Sequence, residues 1–156
     1  MFGFSIGDPN LHIGFNRGEL TAKAIQGTFP DYHAAVQLKA NIRVSAKRND
    51  FLTAAKSASL MTDKNTATIL FRFEDGKAIL TTQSLEIGES KIEVPISLQG
   101  DPIEVRFNPS YFIDALRCLT DDEVRLEFVD EEKACTVRGA QHYKHLVMPL
   151  VTAAAR

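Results

Sequence analysis

The sequence predicts an α+β fold made from one pseudo-symmetric, doubled unit, and three observations carry that prediction. First, the second half repeats the first. Ile42-Arg-Val44 and Phe51-Leu-Thr-Ala54-Ala-Lys56 return 61 positions later as Ile103-Glu-Val105 and Phe112-Ile-Asp-Ala115-Leu-Arg117. Second, strand-like alternation and helix-like stripes follow one another in the same order within each copy. Third, the strand runs are short and rich in hairpin signals, which does not suit a parallel, doubly wound sheet. Val94-Pro95-Ile96 also returns, as Met148-Pro149-Leu150, but at a shift of 54, so the second copy has the shorter hairpin region. Two copies are too few for a solenoid, so they must bury their apolar faces against each other. Both helices are expected side by side on antiparallel sheet.

Before the repeat, Leu11 to Phe15 and Glu19 to Ile25 read as two strands joined at Asn16-Arg17-Gly18, a hairpin signal. Pro30 then breaks regular structure by removing a donor and restricting Phe29. Residues 30–40 read as a connector. In the first copy, Asn41 to Ala46 alternates as a half-buried strand does. From about Arg48 to Leu60, a helix places Phe51, Leu52, Ala55, Ala58 and Ser59 on one stripe. Thr68 to Glu74 and Lys77 to Thr82 flank Asp75-Gly76, a tight-turn pair. Lys91 to Ile96 is a further strand, with Pro95 implying an edge or a bulge.

The second copy starts with a strand from Ile103 to Phe107. Asn108-Pro109 then opens a helix, with the amide oxygen as cap and proline at the first helical position. Phe112, Ala115, Leu116 and Leu119 form its buried stripe. Glu123 to Val129 and Lys133 to Arg138 make a hairpin, and Tyr143 to Leu150 a last strand. Lys47-Arg48 holds the matching place in the first copy and is the poorer cap.

Composition bounds the function without choosing it. The chain has 156 residues, 44% hydrophobic and 24% charged, as one ordinary globular domain or a domain plus a fragment would. No apolar run approaches the roughly 20 residues of a membrane helix. Met1-Phe-Gly-Phe-Ser lacks the basic and apolar regions of a signal peptide. Cys118 and Cys135 have no metal-type spacing, so a reducing cytoplasm is the expected location. A net charge of −2 argues against bulk, non-specific attraction to nucleic acid, so any such role needs local clusters of basic residues. Catalysis finds little support. His142 and His145 are three apart on an expected strand and point to opposite faces, which does not chelate. Cys118, beside Leu116 and Leu119, reads as a packed core thiol, and Cys135 as a strand residue. No enzyme activity, cofactor or metal is expected.

One family joins these pieces. Phe4-Ser-Ile6-Gly7, Leu20-Thr-Ala-Lys23, Gly27-Thr-Phe29-Pro30-Asp31-Tyr32, Phe107-Asn108-Pro109-Ser110-Tyr111, Asp122-Glu-Val124-Arg125-Leu126 and Val147-Met148-Pro149 stand in the order and spacing of the bacterial β sliding clamp. That protein is the non-catalytic processivity subunit of DNA polymerase III, and the resemblance runs from about Phe4 to Leu150. It implies the DNA-clamp fold. Residues 1–29 would be the closing strands of the middle domain, residues 41–150 the C-terminal domain, and residues 151–156 a tail. The family's first domain is not represented, so the chain resembles a fragment of a clamp. Complete members close as homodimers around duplex DNA and hold polymerases, the clamp loader and repair polymerases through short peptide motifs. A free-standing clamp-like domain that titrates clamp clients is the alternative reading.

The resemblance also assigns residues. Its peptide pocket would take Pro30, Asn108, Tyr111, Val147, Met148, Pro149 and Leu150, with Ala34, Ala35, Val36 and Ala134 nearby. Met148, Val147 and Leu150 offer an adaptable apolar floor, Tyr111 an aromatic wall, and the Asn108 amide a partner for peptide backbone. Taken without the resemblance, the same residues also suit a terminal core strand and a helix cap. Two departures fall beside the pocket: His33-Ala34-Ala35 replaces residues that are often basic, and the chain continues past Leu150 to Arg156. A DNA-facing patch would use Arg48, Lys56, Lys64 and Arg117; Lys56 and Arg117 occupy the same repeat position. The subunit interface would use Leu60, Met61, Glu86 and Glu89.

Overall fold

The computed structural model describes residues 3–7, 10–23, 25, 27–28, 31, 39–62, 67–84, 88–139 and 143–150. The chain divides into two compact units, Met1–Tyr32 and His33–Arg156. In the first, strands β1 (Gly3–Gly7), β2 (Asn10–Phe15) and β3 (Gly18–Lys23) form an antiparallel sheet in that order. The β2–β3 hairpin closes with Phe15 opposite Gly18, around Asn16-Arg17 as the turn signal required. Strand β1 is an addition. Five residues bounded by Gly3 and Gly7 give too short a pattern for alternation to single them out.

In the second unit, the first copy of the repeat supplies β4 (Ile42–Lys47), α1 (Arg48–Ser59), β5 (Ile69–Glu74), β6 (Lys77–Ser84) and β7 (Gly88–Gln99). The second supplies β8 (Ile103–Phe107), α2 (Pro109–Cys118), β9 (Glu123–Phe128), β10 (Cys135–Arg138) and β11 (Lys144–Val147). The sheet order is β11-β10-β9-β4-β7-β6-β5-β8, with antiparallel neighbours throughout. The copies exchange partners. Strand β4 of the first lies beside β9 of the second, with Val44 opposite Leu126. Strand β8 of the second lies beside β5 of the first, with Val105 opposite Phe71. Strand β7 pairs with β6 as far as Pro95 and with β4 from Ile96 onward. Pro95 therefore sits where the strand is paired on one side only, a position that tolerates a missing N–H.

The two helices pack on each other, α1 also on β4, β6 and β7, and α2 on β11. Helix α1 buries Phe51, Ala54, Ala55 and Ala58, while Leu52 and Ser59 of the expected stripe are half-buried. Helix α2 buries Phe112, Ile113, Ala115 and Leu116, and Leu119 just beyond it is buried too. Where the copies meet, Phe51 and its repeat counterpart Phe112 lie with ring centroids 6.2 Å apart. Phe71, Phe73, Phe107 and Phe128 complete a fully buried aromatic centre.

The strand ends are set by local chemistry. Gly76, at φ 77°, supplies the left-handed residue of the β5–β6 turn. The β9–β10 connection is wider than expected because Asp130 organises it. Its Oδ1 accepts from the backbone N–H of Glu132 and Lys133 at 3.1 and 2.8 Å, and its Oδ2 meets Lys133 Nζ at 2.7 Å. The bond from Lys133 holds the Asp130 carboxyl below the usual carboxylate range. The last strand stops at Val147 rather than Leu150, and this shortening shapes the site below.

Candidate functional site

Sequence dictates the corner where β8, α2 and the end of β11 come together. The Asn108 side chain accepts from Ser110 N at 3.0 Å, and Pro109 occupies the first helical position, so the start of α2 is fixed by its own residues. The cap uses the amide oxygen and leaves the amide N–H2 as a donor for something else. After Val147, Pro149 has no N–H to continue the ladder, and the chain leaves β10. Leu150 N instead donates to Arg106 O at 2.8 Å, on the outer edge of β8. This single bond is the second-copy equivalent of the β4–β7 pairing, where Ala46 stands opposite Ile96.

The extended chain keeps the inside–outside alternation of a strand past the end of its ladder. Val147 and Pro149 are buried, while Met148 and Leu150 are 62% and 40% exposed. Tyr111, in the first turn of α2, is 55% exposed. Ala134 is half-buried one position beyond the Cys135–Val147 pair, opposite Met148 by extension of that register. The expected apolar floor is thereby corrected in part. Val147 and Pro149 hold the corner from beneath, and the surface offered is Tyr111, Met148 and Leu150 with Asn108 and Ala134. Pro30, Ala34, Ala35 and Val36 lie outside the described residues. Arg106 was not foreseen; its one signal was its position 61 residues after Ser45.

The helix cations are arranged differently from one another. Lys56 is exposed in the last turn of α1. Arg117, its repeat counterpart in α2, is exposed with Nη1 3.6 Å from Asp114 Oδ1. Asp114 thus stands beside Arg117, whereas Asp50 is exposed in the first turn of α1, at the opposite end of the helix from Lys56. Arg48 departs from the expected free phosphate ligand. Its Nε donates to Asp121 O at 2.8 Å and its Nη1 to Leu116 O at 3.4 Å, while its backbone N–H donates to Asp122 O at 2.8 Å. Lys47 makes no side-chain cap for α1, and Arg48 instead ties that helix start to the loop after α2. Lys64 lies outside the described residues.

Leu60, the residue that ends α1, is 79% exposed, and Met61 beside it is half-buried. Glu89 is exposed near the start of β7, and Glu86 lies outside the described residues. Among described residues of the second unit, the large exposed apolar side chains are Leu60, Tyr111, Met148 and Leu150. All four belong to the residues that the resemblance assigned to binding surfaces.

The thiols are a mixed outcome. Cys135 is fully buried in β10, and burial raises its pKa, so its thiolate is suppressed. Cys118 is exposed, contrary to the expected core position. At 3.6 residues per turn it falls about 240° round the helix from Phe112, on the side of Tyr111 and Asp114. Nearby, the Tyr143 hydroxyl donates to Ala115 O at 3.2 Å, and burial followed by Cys118 raises its pKa. No cluster of metal-ligating side chains occurs among the described residues, and His142 lies outside them. No helix is long and apolar enough to cross a membrane among those residues.

Comparison with known proteins agrees with this architecture. The family model for the DNA polymerase III beta subunit, C-terminal domain, matches residues 38–151. The beta sliding clamp of Chlamydia pneumoniae is 26% identical over 131 residues, which are 84% of this chain and 36% of that protein. The clamp of Caulobacter vibrioides strain NA1000 is 27% identical over 148 residues, 93% of this chain and 40% of the relative. The chain thus spans little more than a third of the length of such relatives. Among solved structures, the DNA polymerase III subunit beta of Pseudomonas aeruginosa superposes with a TM-score of 0.85 at 22% identity, over 96% of this chain and 42% of that one. The Bartonella birtlesii sliding clamp bound to griselimycin gives 0.85 at 20% identity, over 96% and 41%. At such identities the likeness concerns the fold alone, which is the α+β clamp fold. The family match covers most of the chain, and with it the two-copy unit just described: this chain belongs to the family of the DNA polymerase III β subunit, the sliding clamp.

Proposed function

We propose that the second unit binds short apolar peptide motifs of DNA polymerase III and other clamp clients at the Tyr111–Met148 corner. Within a closed ring it would help hold the polymerase on duplex DNA, in the cytoplasm, without catalysis or cofactor. The observation that carries this reading is the corner itself: Tyr111, Met148 and Leu150 keep large apolar side chains in solvent beside the spare amide donor of Asn108. Exposed aromatic and methionine side chains supported by buried neighbours suit partners that exchange. Burying one leucine or phenylalanine there contributes roughly 1.5–3 kcal/mol. A micromolar complex totals about −8 kcal/mol, so two such anchors and a few hydrogen bonds suffice after ordering costs.

The other surfaces take the roles the family suggests. Lys56 and Arg117 touch phosphates loosely, without sequence information, which suits sliding. Leu60, Met61 and Glu89 belong to an edge that a partner subunit covers in a head-to-tail homodimer; Leu60, 79% exposed, supplies apolar area for that partner to remove from water. The first unit is the end of the middle domain. The peptide reading is tested by fluorescence anisotropy with a labelled clamp-motif peptide. Tyr111→Ala combined with Met148→Ala is expected to weaken binding by at least about tenfold, the loss of roughly 1.4 kcal/mol. Equal affinity in the variant would remove the assignment.

A further inference from the structure

The first copy has a corner of its own at the place equivalent to the Tyr111 site. Counting along the repeat, Asp50 stands where Tyr111 stands, and Pro95-Ile96 where Pro149-Leu150 stand. Here the corner opens into a trough. Strand β4 turns Arg43, Ser45 and Lys47 away from the core, and Ser45 stands opposite Ser97 on β7 and Arg125 on β9. Two short serine side chains between longer neighbours leave a depression along the sheet. Two hollows of about 470 and 250 Å³ share Ser45, Ser97 and Glu123 and so run into each other. Ala46, Pro95 and Ile96 give one end an apolar wall, and Asp50 and Asp122 stand exposed at its rim. Arg43 and Arg125 line the other end.

We propose that this trough is a second peptide-docking site, taking an extended segment of a partner protein that carries lysine or arginine beside a leucine-sized residue. Charge decides the class of partner. Arg125 Nε lies 3.6 Å from Glu123 Oε1, which occupies that carboxylate. Asp50 and Asp122 form no ion pair with a described residue and face Lys47 as the one cation lining that end. The α1 N-terminus adds a partial positive charge that offsets only part of the two carboxylates. A cationic side chain meets the two aspartates while its apolar neighbour covers Pro95 and Ile96. At about 3.3 Å per residue, the five residues from Arg43 to Lys47 provide room for a peptide of similar length. At the far end Arg125 is paired with Glu123, and Arg43 remains to repel a second cation, so the segment has one basic end. Tyr111 in the second copy selects apolar side chains, and Asp50 in the first adds a demand for positive charge.

Anisotropy measurements on the full chain use two fluorescein-labelled pentapeptides, Ser-Arg-Leu-Ser-Gly and Ser-Glu-Leu-Ser-Gly. The arginine peptide is expected to bind at least about tenfold more tightly, with an affinity that falls as salt rises. Asp50→Lys with Asp122→Lys should abolish that preference, while Tyr111→Ala with Met148→Ala should leave it unchanged. Asp50 lies in the first turn of α1, where reversal also weakens the helix. Asp122→Lys alone, outside any helix or strand, is therefore the second variant, and it should reduce the preference by about threefold or more. Equal binding of the two peptides, absence of saturable binding, or insensitivity to the Asp122 change would overturn the proposal. Loss of binding in the Tyr111 and Met148 variant would overturn it too, by moving the peptide to the other corner.

Discussion

Replacing Phe112 by alanine is expected to lower the stability of the second unit by about 3–5 kcal/mol. The ring is fully buried and lies 4.7 Å from Phe107, 5.0 Å from Phe71 and 6.2 Å from Phe51, centroid to centroid. Phe107 and Phe71 are held by paired strands β8 and β5, and Phe51 by α1, so the cavity cannot close by collapse. Urea unfolding should show a lower midpoint at an unchanged slope, because the surface exposed on unfolding is nearly the same. Phe51→Ala should also be costly, and the double variant should depart from additivity by more than about 0.5 kcal/mol, since the rings touch. A Phe112→Ala loss below about 1 kcal/mol would mean that the two copies do not share this core.

The second large effect belongs to Gly100, in the link between β7 and β8 that joins the copies. Its φ is 102°, and a Cβ there would stand 2.6 Å from the backbone oxygen of Asn41 and 3.1 Å from Ile42 Cα. Gly100→Ala meets a conformational penalty of about 1–3 kcal/mol. A clash against immovable backbone adds another 1–3 kcal/mol or so. Gly76 provides the comparison, with φ 77° and open space around its Cβ position. Gly76→Ala should cost only the conformational part. If both substitutions lower the urea midpoint equally, the close approach of the Gly100 link to the start of β4 is refuted.

Several of these features are legible in the sequence because their causes are local. Asp75-Gly76 and Asn108-Pro109 carry their own turn and cap chemistry, and the structure places both as expected. The 61-residue repeat pairs Phe51 with Phe112, and these are the rings that meet between the helices. What escapes is set at long range. Alternation says that β4 and β8 are half-buried strands, but not that each pairs with a hairpin of the other copy. Arg48 reads as a surface cation until the carbonyls of Leu116 and Asp121 come within reach from the other half of the repeat. Residues 148–150 look like more strand because their alternation persists, and only Arg106 O, supplied by β8, explains where they go. Cys118 shows the remaining weakness: Leu116 and Leu119 near it are buried, whereas its angle round the helix is not that of the core.

The same long-range bend leaves Met148 outside with Tyr111 and Leu150, and it is there that the peptide reading is most exposed to test. The chain has three methionines, Met1, Met61 and Met148, so a sample carrying ¹³C-methyl methionine gives one signal for the peptide corner, one for the subunit edge and one for the N-terminus. Titration with a clamp-motif peptide should move the Met148 methyl resonance saturably and leave that of Met61 in place. A peptide that binds while the Met148 signal stays still would contradict the site.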